Sequence, residues 1–514
     1  MSKTIIIIGA GLAGLSAALQ AAENGCNVKL VSFLPSERAQ SVMAEGGINA
    51  ALNTKDENDS PEEHFTDTIK AACGLADPNA VWGMTQAAPE LVHWLLKLGV
   101  KFNMSGYDDV DLRNFGGQKK KRTAFAQSDT GKQIMTAMID AVRRKEASGM
   151  IERFSHHSFL TLRLCGNICC GCVIRDEYSQ EIVELPGNAV IVASGGMHGL
   201  FGNTTGSLSN TGEVTAELFR LGVPLANGEM IQYHPTTVEC GGKRMLISEA
   251  ARGEGGRLFA LRNNQPWYFM EEKYPELGNL MPRDITAREI WKVSHESEVF
   301  LDMTEISKEV ISNKLSGLAD DCMTYLHKDI RKEPVPVLPG IHYFMGGILV
   351  DEQHRTSIQN LYAAGECCAQ YHGANRLGGN SLLGALYGGR VAEKSACEQA
   401  DGVVLSCAAQ IDIPPASQIS EIKQLNKVMQ ETMGVVRNEN TLLNGIQTVQ
   451  ALTGNLPLLG MAVLKSALAR KESRGAHWRE DYPKSNDDDY LKTTVARFDG
   501  KQIQISFVPV PERR

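Results

Sequence analysis

The chain has 514 residues, of which 43% are hydrophobic and 22% are charged, a composition typical of a globular protein with several domains and a large buried core. The formal net charge of −8 argues against nucleic-acid binding, and it requires that any anionic ligand be attracted by local positive charge. The sequence has neither a long uninterrupted apolar window nor a cleavage-site pattern, so we predict no direct membrane span and no signal peptide.

The first strands and helix form a nucleotide-binding pattern. An apolar β-branched run at residues 4–8, a small-residue helix at 12–22 and a strand at 28–32 predict a β-α-β unit. The sequence Gly9-Ala10-Gly11-Leu12-Ala13-Gly14 between strand and helix has the form G-x-G-x-x-G. Gly9 allows a tight turn, Gly11 lets a pyrophosphate approach the backbone, and Gly14 allows the helix to pack closely on the strand.

The residue after the second strand helps to distinguish the two common dinucleotides. This strand ends in Ser32, not in the acidic residue that usually binds the ribose of NAD. Two further glycine-containing segments, Ala193-Ser194-Gly195-Gly196 and Gly365-Glu366, follow predicted strands, as flavin-binding domains in two parts require. We therefore favour FAD over NAD.

The middle of the chain alternates between helical patterns at residues 61–72, 80–98 and 131–147 and strand-like segments at 151–175 and 188–193. The basic run at 119–122 is interpreted as a solvated loop. The 12 cysteines lack the context of a small secreted domain, so we expect reduced thiols in a cytoplasmic protein. The densest cluster, Cys165, Cys169, Cys170 and Cys172, fits no standard metal-ligand spacing, and we predict a β-hairpin and no metal.

Changes in local amino-acid composition along the chain predict the domain boundaries. A polar, glycine-rich stretch interrupts the nucleotide-domain pattern, which returns near residue 340. We predict an α/β fold (α+β overall), with a Rossmann-like FAD-binding domain made of residues 1–228 and 340–398. Residues 229–339 are predicted to form an inserted capping domain, 414–483 a C-terminal helical domain and 484–514 a C-terminal tail.

Motifs spread along the chain are similar to those of one flavoprotein family. They are Ala44-Glu45-Gly46-Gly47-Ile48-Asn49, Phe115-Gly116-Gly117-Gln118, His234-Pro235-Thr236, Ser248-Glu249-Ala250-Ala251-Arg252-Gly253-Glu254-Gly255-Gly256, Arg283-Asp284, His342-Tyr343, Gly373-Ala374-Asn375-Arg376 and Arg470-Lys471-Glu472-Ser473-Arg474-Gly475. In this order they resemble the flavoprotein subunit of succinate dehydrogenases and fumarate reductases, and its relative L-aspartate oxidase. The resemblance covers nearly the whole chain and implies an FAD domain with a mobile cap.

The resemblance implies a site for a four-carbon dicarboxylate, fumarate or succinate. His342 and Arg376 match the pair that grips one carboxylate, since a guanidinium meets a carboxylate bidentately. His234 and Ser248 match the pair at the other carboxylate, although most relatives have threonine at the position of Ser248. We interpret Phe115 as a wall of the substrate site.

The resemblance also implies a proton route. Arg283, from the capping domain, matches the proton donor, and Glu249 and Arg252 match the relay that returns its proton. An arginine is an unusual acid because its free pKa exceeds about 12, so an adjacent relay is needed.

A larger set of residues is expected to contact FAD: Gly9, Gly11, Gly14, Ser32, Glu45, Gly46, Gly47, Ser194, Gly195, Glu213, Glu366, Ser381 and Leu382. Among them, Glu213 departs from the aspartate that relatives usually have. Membrane-bound relatives attach FAD to a histidine before the Ala-Glu-Gly-Gly segment, where this chain has Gln40. We therefore expect noncovalent FAD, a better reductant, and fumarate reduction as the favoured direction.

L-aspartate oxidase is the alternative within the resemblance, because it also binds FAD noncovalently. It holds an ammonium group and has a glutamate where this chain has Phe115, so the sequence favours an unsubstituted dicarboxylate. A non-enzymatic flavin-binding protein is disfavoured by the complete set of histidine and arginine motifs.

The sequence leaves two kinds of electron-transfer partner open. No cluster-ligand pattern occurs in the chain, so we expect either an iron–sulfur electron-transfer subunit or a diffusible donor or oxygen. We expect a cytoplasmic protein that reaches the inner face of the cell membrane through partner subunits.

Overall fold

The structure is a computed structural model that describes residues 2–106, 109–400, 411–414 and 418–514. The β-strands are, in chain order, β1 Thr4–Ile8, β2 Asn27–Ser32, β3 Ile48–Asn49, β4 Leu112–Arg113, β5 Thr123–Ala124, β6 Ile151–Ser155, β7 His157–Cys165, β8 Ile168–Asp176, β9 Ile182–Pro186, β10 Ala189–Val192, β11 Leu225–Ala226, β12 Ile231–Cys240, β13 Lys243–Leu246, β14 Arg257–Arg262, β15 Gln265–Trp267, β16 Val299–Asp302, β17 Val335–Pro336, β18 Leu338–Phe344, β19 Gly347–Leu349, β20 Leu361–Ala363, β21 Cys368–Ala369, β22 Lys492–Phe498 and β23 Ile503–Pro509. The α-helices are α1 Leu12–Glu23, α2 Pro61–Ala71, α3 Pro78–Lys97, α4 Thr130–Ala147, α5 Glu213–Arg220, α6 Glu249–Gly253, α7 Phe269–Lys273, α8 Arg283–Ser294, α9 Lys308–Lys314, α10 Ser316–Leu326, α11 Asn380–Gln399, α12 Ile419–Thr432, α13 Glu439–Val449, α14 Asn455–Ala469 and α15 Asp487–Tyr490.

A parallel sheet with the order β20–β10–β1–β2–β6 forms the centre of the molecule, and it confirms the Rossmann-like prediction. The strands β1 and β10 are almost fully buried, as expected of parallel strands covered on both faces. β20 comes from beyond residue 340, so the chain returns to this sheet after the inserted segment.

Helices α1 and α11 pack against one another beside this sheet. A Cβ at Gly14 would lie 1.8 Å from the Gly9 carbonyl oxygen, and one at Gly389 would lie 2.3 Å from the Ala13 carbonyl oxygen. Only glycine fits at such close approaches. The predicted role of Gly14 in helix–strand packing therefore agrees with its surroundings.

The cysteine-rich segment is the β7–β8 hairpin, which confirms the hairpin prediction. Cys169 and Cys172 are buried in a hydrophobic core with Leu162 and Ile174. One expectation was wrong: Cys165 is in a disulfide and is not a reduced thiol.

The inserted segment has its own hydrophobic core, built from residues between Ile247 and Val337 and joined by Phe115. Its sheet has the order β15–β14–β16–β17. Strands β12 and β18, at its two ends, pair antiparallel with one another. The two connections between the FAD-binding region and the insertion therefore lie side by side.

The C-terminal region contains the three helices α12, α13 and α14, which share a core with β11 and its neighbours. The last strands are not a detached tail, because β22 and β23 extend the sheet β21–β19–β11–β22–β23. Residues 1, 107–108 and 415–417 of the predicted domains lie outside the described residues. Within the part of the chain that the structure describes, no helix combines the length and apolarity needed to cross a bilayer.

The prediction of a solvated loop at residues 119–122 was wrong for Arg122. This side chain is fully buried and forms ion pairs with Asp59 at 2.9 Å and Asp67 at 3.0 Å. Both aspartates come from around α2, about 60 residues earlier in the chain, where the sequence shows no link to the basic run.

Candidate active site

A cavity of about 890 Å³ lies at the carboxyl edge of the parallel sheet, where α/β folds bind nucleotides. Its walls include the residues that follow β1, β2, β10 and β20, and the N-termini of α1 and α11. The cavity continues to a polar cluster between β12, β18, α6 and α8.

The structure brings nearly all of the expected cofactor residues to this one cavity. The lining residues among them are Gly9, Gly11, Ser32, Glu45, Gly46, Gly47, Ser194, Gly195, Glu213, Glu366, Ser381 and Leu382. Gln40 also lines the cavity. Gly14 does not, since it lies one turn into α1 against Gly9.

The polar atoms of the cavity wall fit a bound FAD. Ser32 Oγ, Gln40 Oε1 and Glu45 Oε2 are buried without a hydrogen-bond partner from the described protein. Buried polar atoms of this kind need partners, and the ribose hydroxyls and ring heteroatoms of a dinucleotide provide them. The N-terminus of α1, where Gly11 is the N-cap and the Leu12 N–H donates to Ser41 Oγ at 3.1 Å, lines the cavity and is suited to the pyrophosphate.

Two carboxyl groups in the wall have strongly raised pKa values. Burial, together with the nearby Asp321, raises the pKa of Glu45 to about 8. Burial and the nearby Glu217 raise the pKa of Glu213 to about 7. Glu45 is therefore mostly protonated at neutral pH and can donate a hydrogen bond into the cavity.

Strand pairing brings His234 and His342 together. Residue His234 pairs with Gly340 across β12 and β18, and the two imidazole rings lie 5.1 Å apart. Pro235 follows His234 and has no N–H for the ladder, and the register shifts at this point. The resulting bulge lies beside the cavity, which both histidines line.

The two imidazoles are held through Nδ1 and remain neutral. His234 Nδ1 lies 3.1 Å from the Thr236 carbonyl oxygen, and His342 Nδ1 lies 2.8 Å from Thr205 Oγ1. Burial, followed by the charge of Arg283, holds the pKa of both rings well below the usual value. Each ring therefore keeps Nε2 for a ligand while it carries no charge at neutral pH.

Arg283, Glu249 and Arg252 form one connected group. Arg283 donates to Glu249 Oε2 from Nε at 2.8 Å and from Nη2 at 2.5 Å. Arg252 Nη2 lies 3.4 Å from Glu249 Oε1, which also accepts from the Gly116 backbone N–H at 3.1 Å. Burial alone would raise the pKa of Glu249, but the two arginines outweigh it and hold the pKa below the usual value.

Local structure explains this geometry. Ser248 is the N-cap of α6 and accepts from the Ala250 N–H at 3.4 Å, so Glu249 and Arg252 lie on consecutive turns of the same short helix. Arg283 is the first residue of α8, directly after Pro282. Arg252 does not line the cavity and lies behind Glu249.

Gln232 was not predicted, yet it joins the two halves of the site. Its Oε1 accepts from Arg283 Nη1 at 3.1 Å and from Arg376 Nη2 at 3.0 Å, and its Nε2 donates to the Arg376 carbonyl oxygen at 2.8 Å. The side chain is fully buried. The available signal was its position two residues before His234 on one strand, because alternate residues of a strand share a face. Thr205, the partner of His342, was also missed.

Arg376 has a buried N–H donor that an anion can bind. Its guanidinium lies over the ring of Tyr343 at 4.4 Å, and Nε is a buried donor without a hydrogen-bond partner in the described protein. Burial, together with the nearby Arg283, lowers its pKa to about 9. A carboxylate beside it would satisfy the free donor and offset the burial of the charge.

Phe115 forms an apolar part of the wall. It is 2% exposed, and a Cβ on Gly46 would lie 2.9 Å from its ring. Phe115 therefore contacts Gly46, one of the residues predicted to bind FAD, and it also packs into the core of the inserted segment.

The chain resembles known proteins over its whole length. The FAD binding domain family matches residues 4–382, and the fumarate reductase flavoprotein C-terminal family matches residues 452–513. The succinate dehydrogenase flavoprotein subunit of Bacillus subtilis is 37% identical, over 100% of this chain and 98% of that one. The L-aspartate oxidase of Caulobacter vibrioides is 35% identical, over 97% of this chain and 96% of that one.

A solved structure of Escherichia coli quinol fumarate reductase is also similar to this chain over nearly its whole length. Its flavoprotein chain superimposes with a TM-score of 0.89 at 27% identity, over 99% of this chain and 97% of that one.

The described residues contain no group of three or more His, Cys, Asp or Glu side chains arranged to hold a metal ion.

Proposed function

This chain belongs to the family of succinate dehydrogenase and fumarate reductase flavoprotein subunits, a family of FAD-dependent oxidoreductases, and from this membership we propose that it interconverts fumarate and succinate, with fumarate reduction favoured. The FAD domain and the C-terminal domain of that family both match, and FAD is its cofactor. The substrate, the direction and the residue roles are the subject of the proposal.

The charge balance of the site carries the proposal. Arg252, Arg283 and Arg376 are all buried, and among the described residues one carboxylate, Glu249, hydrogen-bonds to Arg283 and forms an ion pair with Arg252. With neutral imidazoles at His234 and His342, the connected group has a net charge of about +2. A dicarboxylate dianion has the opposite charge, so its binding would neutralise the buried excess.

The substrate would be held at both ends. Arg376 and His342 offer a guanidinium fork and an imidazole to one carboxylate, and His234 and Ser248 offer an imidazole and a hydroxyl to the other. Binding at both ends orients the C=C bond between them. Bound FAD supplies the hydride for one alkene carbon.

Arg283 is proposed to deliver the proton to the other alkene carbon. Glu249 bonds to its guanidinium through two N–H groups and forms an ion pair with Arg252 at 3.4 Å, so a proton lost by Arg283 can be restored through Glu249, with Arg252 as the next relay residue. The pair is buried in the cavity wall, which strengthens the charge interactions and limits exchange with bulk water.

Gln40 supports noncovalent FAD and the direction of the reaction. It lines the cavity at the position where the resemblance places a flavin-linking histidine in membrane-bound relatives. A carboxamide does not form that link. In the family the covalent link favours succinate oxidation, so its absence supports fumarate reduction.

An iron–sulfur subunit is the proposed electron partner, because the part of the chain that the structure describes has no metal-binding group of its own. The proposal places the protein in the cytoplasm, at the inner face of the membrane through partner subunits. A self-contained enzyme would instead accept electrons from a diffusible donor, and a pull-down for an iron–sulfur protein from the native host separates the two.

Purified holoenzyme tests the proposal directly. Acid precipitation should release FAD into the supernatant, and reduced dye should be reoxidised by fumarate faster than L-aspartate is oxidised. Arg283→Ala should lower turnover more than 1,000-fold while FAD stays bound, because the proton donor is lost. Arg288→Ala is the matched control, since Arg288 lies on the same helix over Trp478 and outside the cavity.

Two results would overturn the proposal. Full activity of Arg283→Ala would remove its proposed role as proton donor. Faster oxidation of L-aspartate than reduction of fumarate would select the aspartate oxidase instead. The apolar wall at Phe115 argues against that outcome, because an ammonium group there would face an aromatic ring and not a carboxylate.

A further inference from the structure

Two cysteines that are distant in the sequence lie in contact at the far ends of α1 and α11. Cys26 Sγ and Cys397 Sγ are 3.0 Å apart, although 371 residues separate them in the chain. Both are free thiols. A disulfide bond length is about 2.0 Å, so the sulfur atoms need to approach by only about 1 Å to form one.

A carboxylate lies beside this thiol pair. Cys397 Sγ donates to Glu393 Oε1 at 3.0 Å, and the Asn24 side chain donates to the same oxygen at 3.0 Å. Glu393 Oε2 is buried without a hydrogen-bond partner in the described protein. Glu393 therefore holds the Cys397 thiol beside Cys26, and burial together with the hydrogen bonds to Cys26 and Glu393 raises the pKa of that thiol.

The two thiols differ in access. Cys26 is 5% exposed, whereas Cys397 is partly exposed and can meet a small oxidant from solution. A partly exposed thiol in contact with a second, buried thiol can oxidise in two steps, first to a sulfenic acid and then to a disulfide.

We propose that Cys26 and Cys397 are a redox-modification site, at which a peroxide oxidant closes a reversible disulfide between α1 and α11. In the first step the Cys397 thiol loses its proton, the sulfur attacks hydrogen peroxide and the O–O bond breaks, giving Cys397 sulfenic acid and, with that proton, one water. In the second step Cys26 Sγ attacks that sulfur, the S–O bond breaks, and a second water leaves. Two thiols lose two electrons and two protons, and the peroxide is reduced to two waters.

The position of the pair gives the disulfide a consequence for the cofactor site. The opposite end of α1 contributes Gly11, Leu12 and Ala13 to the cavity, and the opposite end of α11 contributes Ser381 and Leu382. The helices are already tightly packed, and Ser16 Oγ donates to the Leu386 carbonyl oxygen at 2.8 Å. A covalent link at their ends would restrict separation of the two helices and so slow the loss of FAD.

Mass spectrometry of the folded holoenzyme tests the site. After treatment with hydrogen peroxide and alkylation, we expect a peptide pair joined through Cys26 and Cys397, lost on addition of dithiothreitol. Cys397→Ser should abolish it, whereas Cys73→Ser, the control at another partly exposed thiol, should keep it. Glu393→Gln should speed its formation severalfold, because the variant loses a negative charge that raises the pKa of the Cys397 thiol.

A second readout uses flavin fluorescence during heating, which reports FAD release without an activity assay. Oxidised wild-type protein should release FAD at a temperature a few degrees higher than the reduced protein, and Cys397→Ser should show no difference. The proposal fails if Cys26 and Cys397 stay fully alkylatable after peroxide treatment, or if their link appears only after unfolding. An unchanged or slower rate in Glu393→Gln would overturn the assigned effect of the carboxylate on the Cys397 thiol.

Discussion

Gln232→Glu tests whether the charge balance of the site, and not only its shape, determines affinity for the substrate. The side chain lies between Arg283 and Arg376 and is an acceptor for both guanidinium groups. Glutamate has nearly the same size and keeps the two acceptor interactions. It adds one negative charge, so the connected group falls from about +2 to about +1.

The size of the effect follows from Coulomb's law. A substrate carboxylate bound to Arg376 would lie roughly 7 Å from the new charge, and with an effective dielectric constant of about 20 the repulsion is about 2 kcal/mol. This energy corresponds to an increase of about 30-fold in KM for a dianion. The variant would also lose the hydrogen bonds from Nε2 to Asn375 Oδ1 at 2.9 Å and to the Arg376 carbonyl oxygen at 2.8 Å, which would add a further effect on the position of Arg376.

Steady-state kinetics with fumarate and with succinate would measure the effect, after the flavin spectrum has shown that FAD is still bound. Both substrates are dianions, so both KM values should rise together. Gln399→Glu is the control, because Gln399 is exposed at the end of α11 and outside the cavity. A KM for Gln232→Glu within twofold of the wild-type value would refute the argument from charge balance.

Two further substitutions test buried ionisable side chains. Glu45→Gln should stabilise the FAD-free protein by up to about 3 kcal/mol at pH 7, because the folded state must keep this carboxyl protonated while the unfolded chain ionises it. Since the pKa is raised to about 8, the gain should grow as the pH rises from about 4.5 to 8 and then level off, and a difference independent of pH in thermal melts would contradict the assignment. Arg122→Met should destabilise the protein by about 3–5 kcal/mol, because two buried aspartates lose their partner. Lys121→Met, at an exposed neighbour, should change the melting temperature little, and equal melting temperatures for the two variants would show that the buried pairs contribute nothing.

The parts of the fold that depend on short-range patterns were predictable. The G-x-G-x-x-G loop, the helix after it and the buried strands all follow from periodicity and glycine placement within about 30 residues. The return of the chain to the same sheet at β20 was also visible, because a glycine-rich segment again follows an apolar strand. Each of these signals lies within one element and its immediate neighbours.

The partners of the functional side chains were not predictable in the same way. Gln232 and Thr205 became evident only when β12, β18 and the loop before α5 were placed together, since their partners lie about 50 to 140 residues away in sequence. Arg122 shows the same limit, because a basic run is usually solvated and only the fold brings Asp59 and Asp67 to it. A sequence gives the residue types of a site, while the pairing of charges depends on tertiary contacts.

The proposed site also accounts for how a protein with a net charge of −8 would attract a dianionic substrate. Surface charges are screened within about 10 Å at moderate salt, whereas the buried arginines act at short range in a less polar medium. One of these arginines, Arg283, comes from the inserted segment, and Arg376 comes from the loop before α11, so they share Gln232 only when both parts are packed together. The full positive charge and the proposed proton donor therefore depend on the same contact between the two parts, and a substrate that neutralises the charge would stabilise that contact.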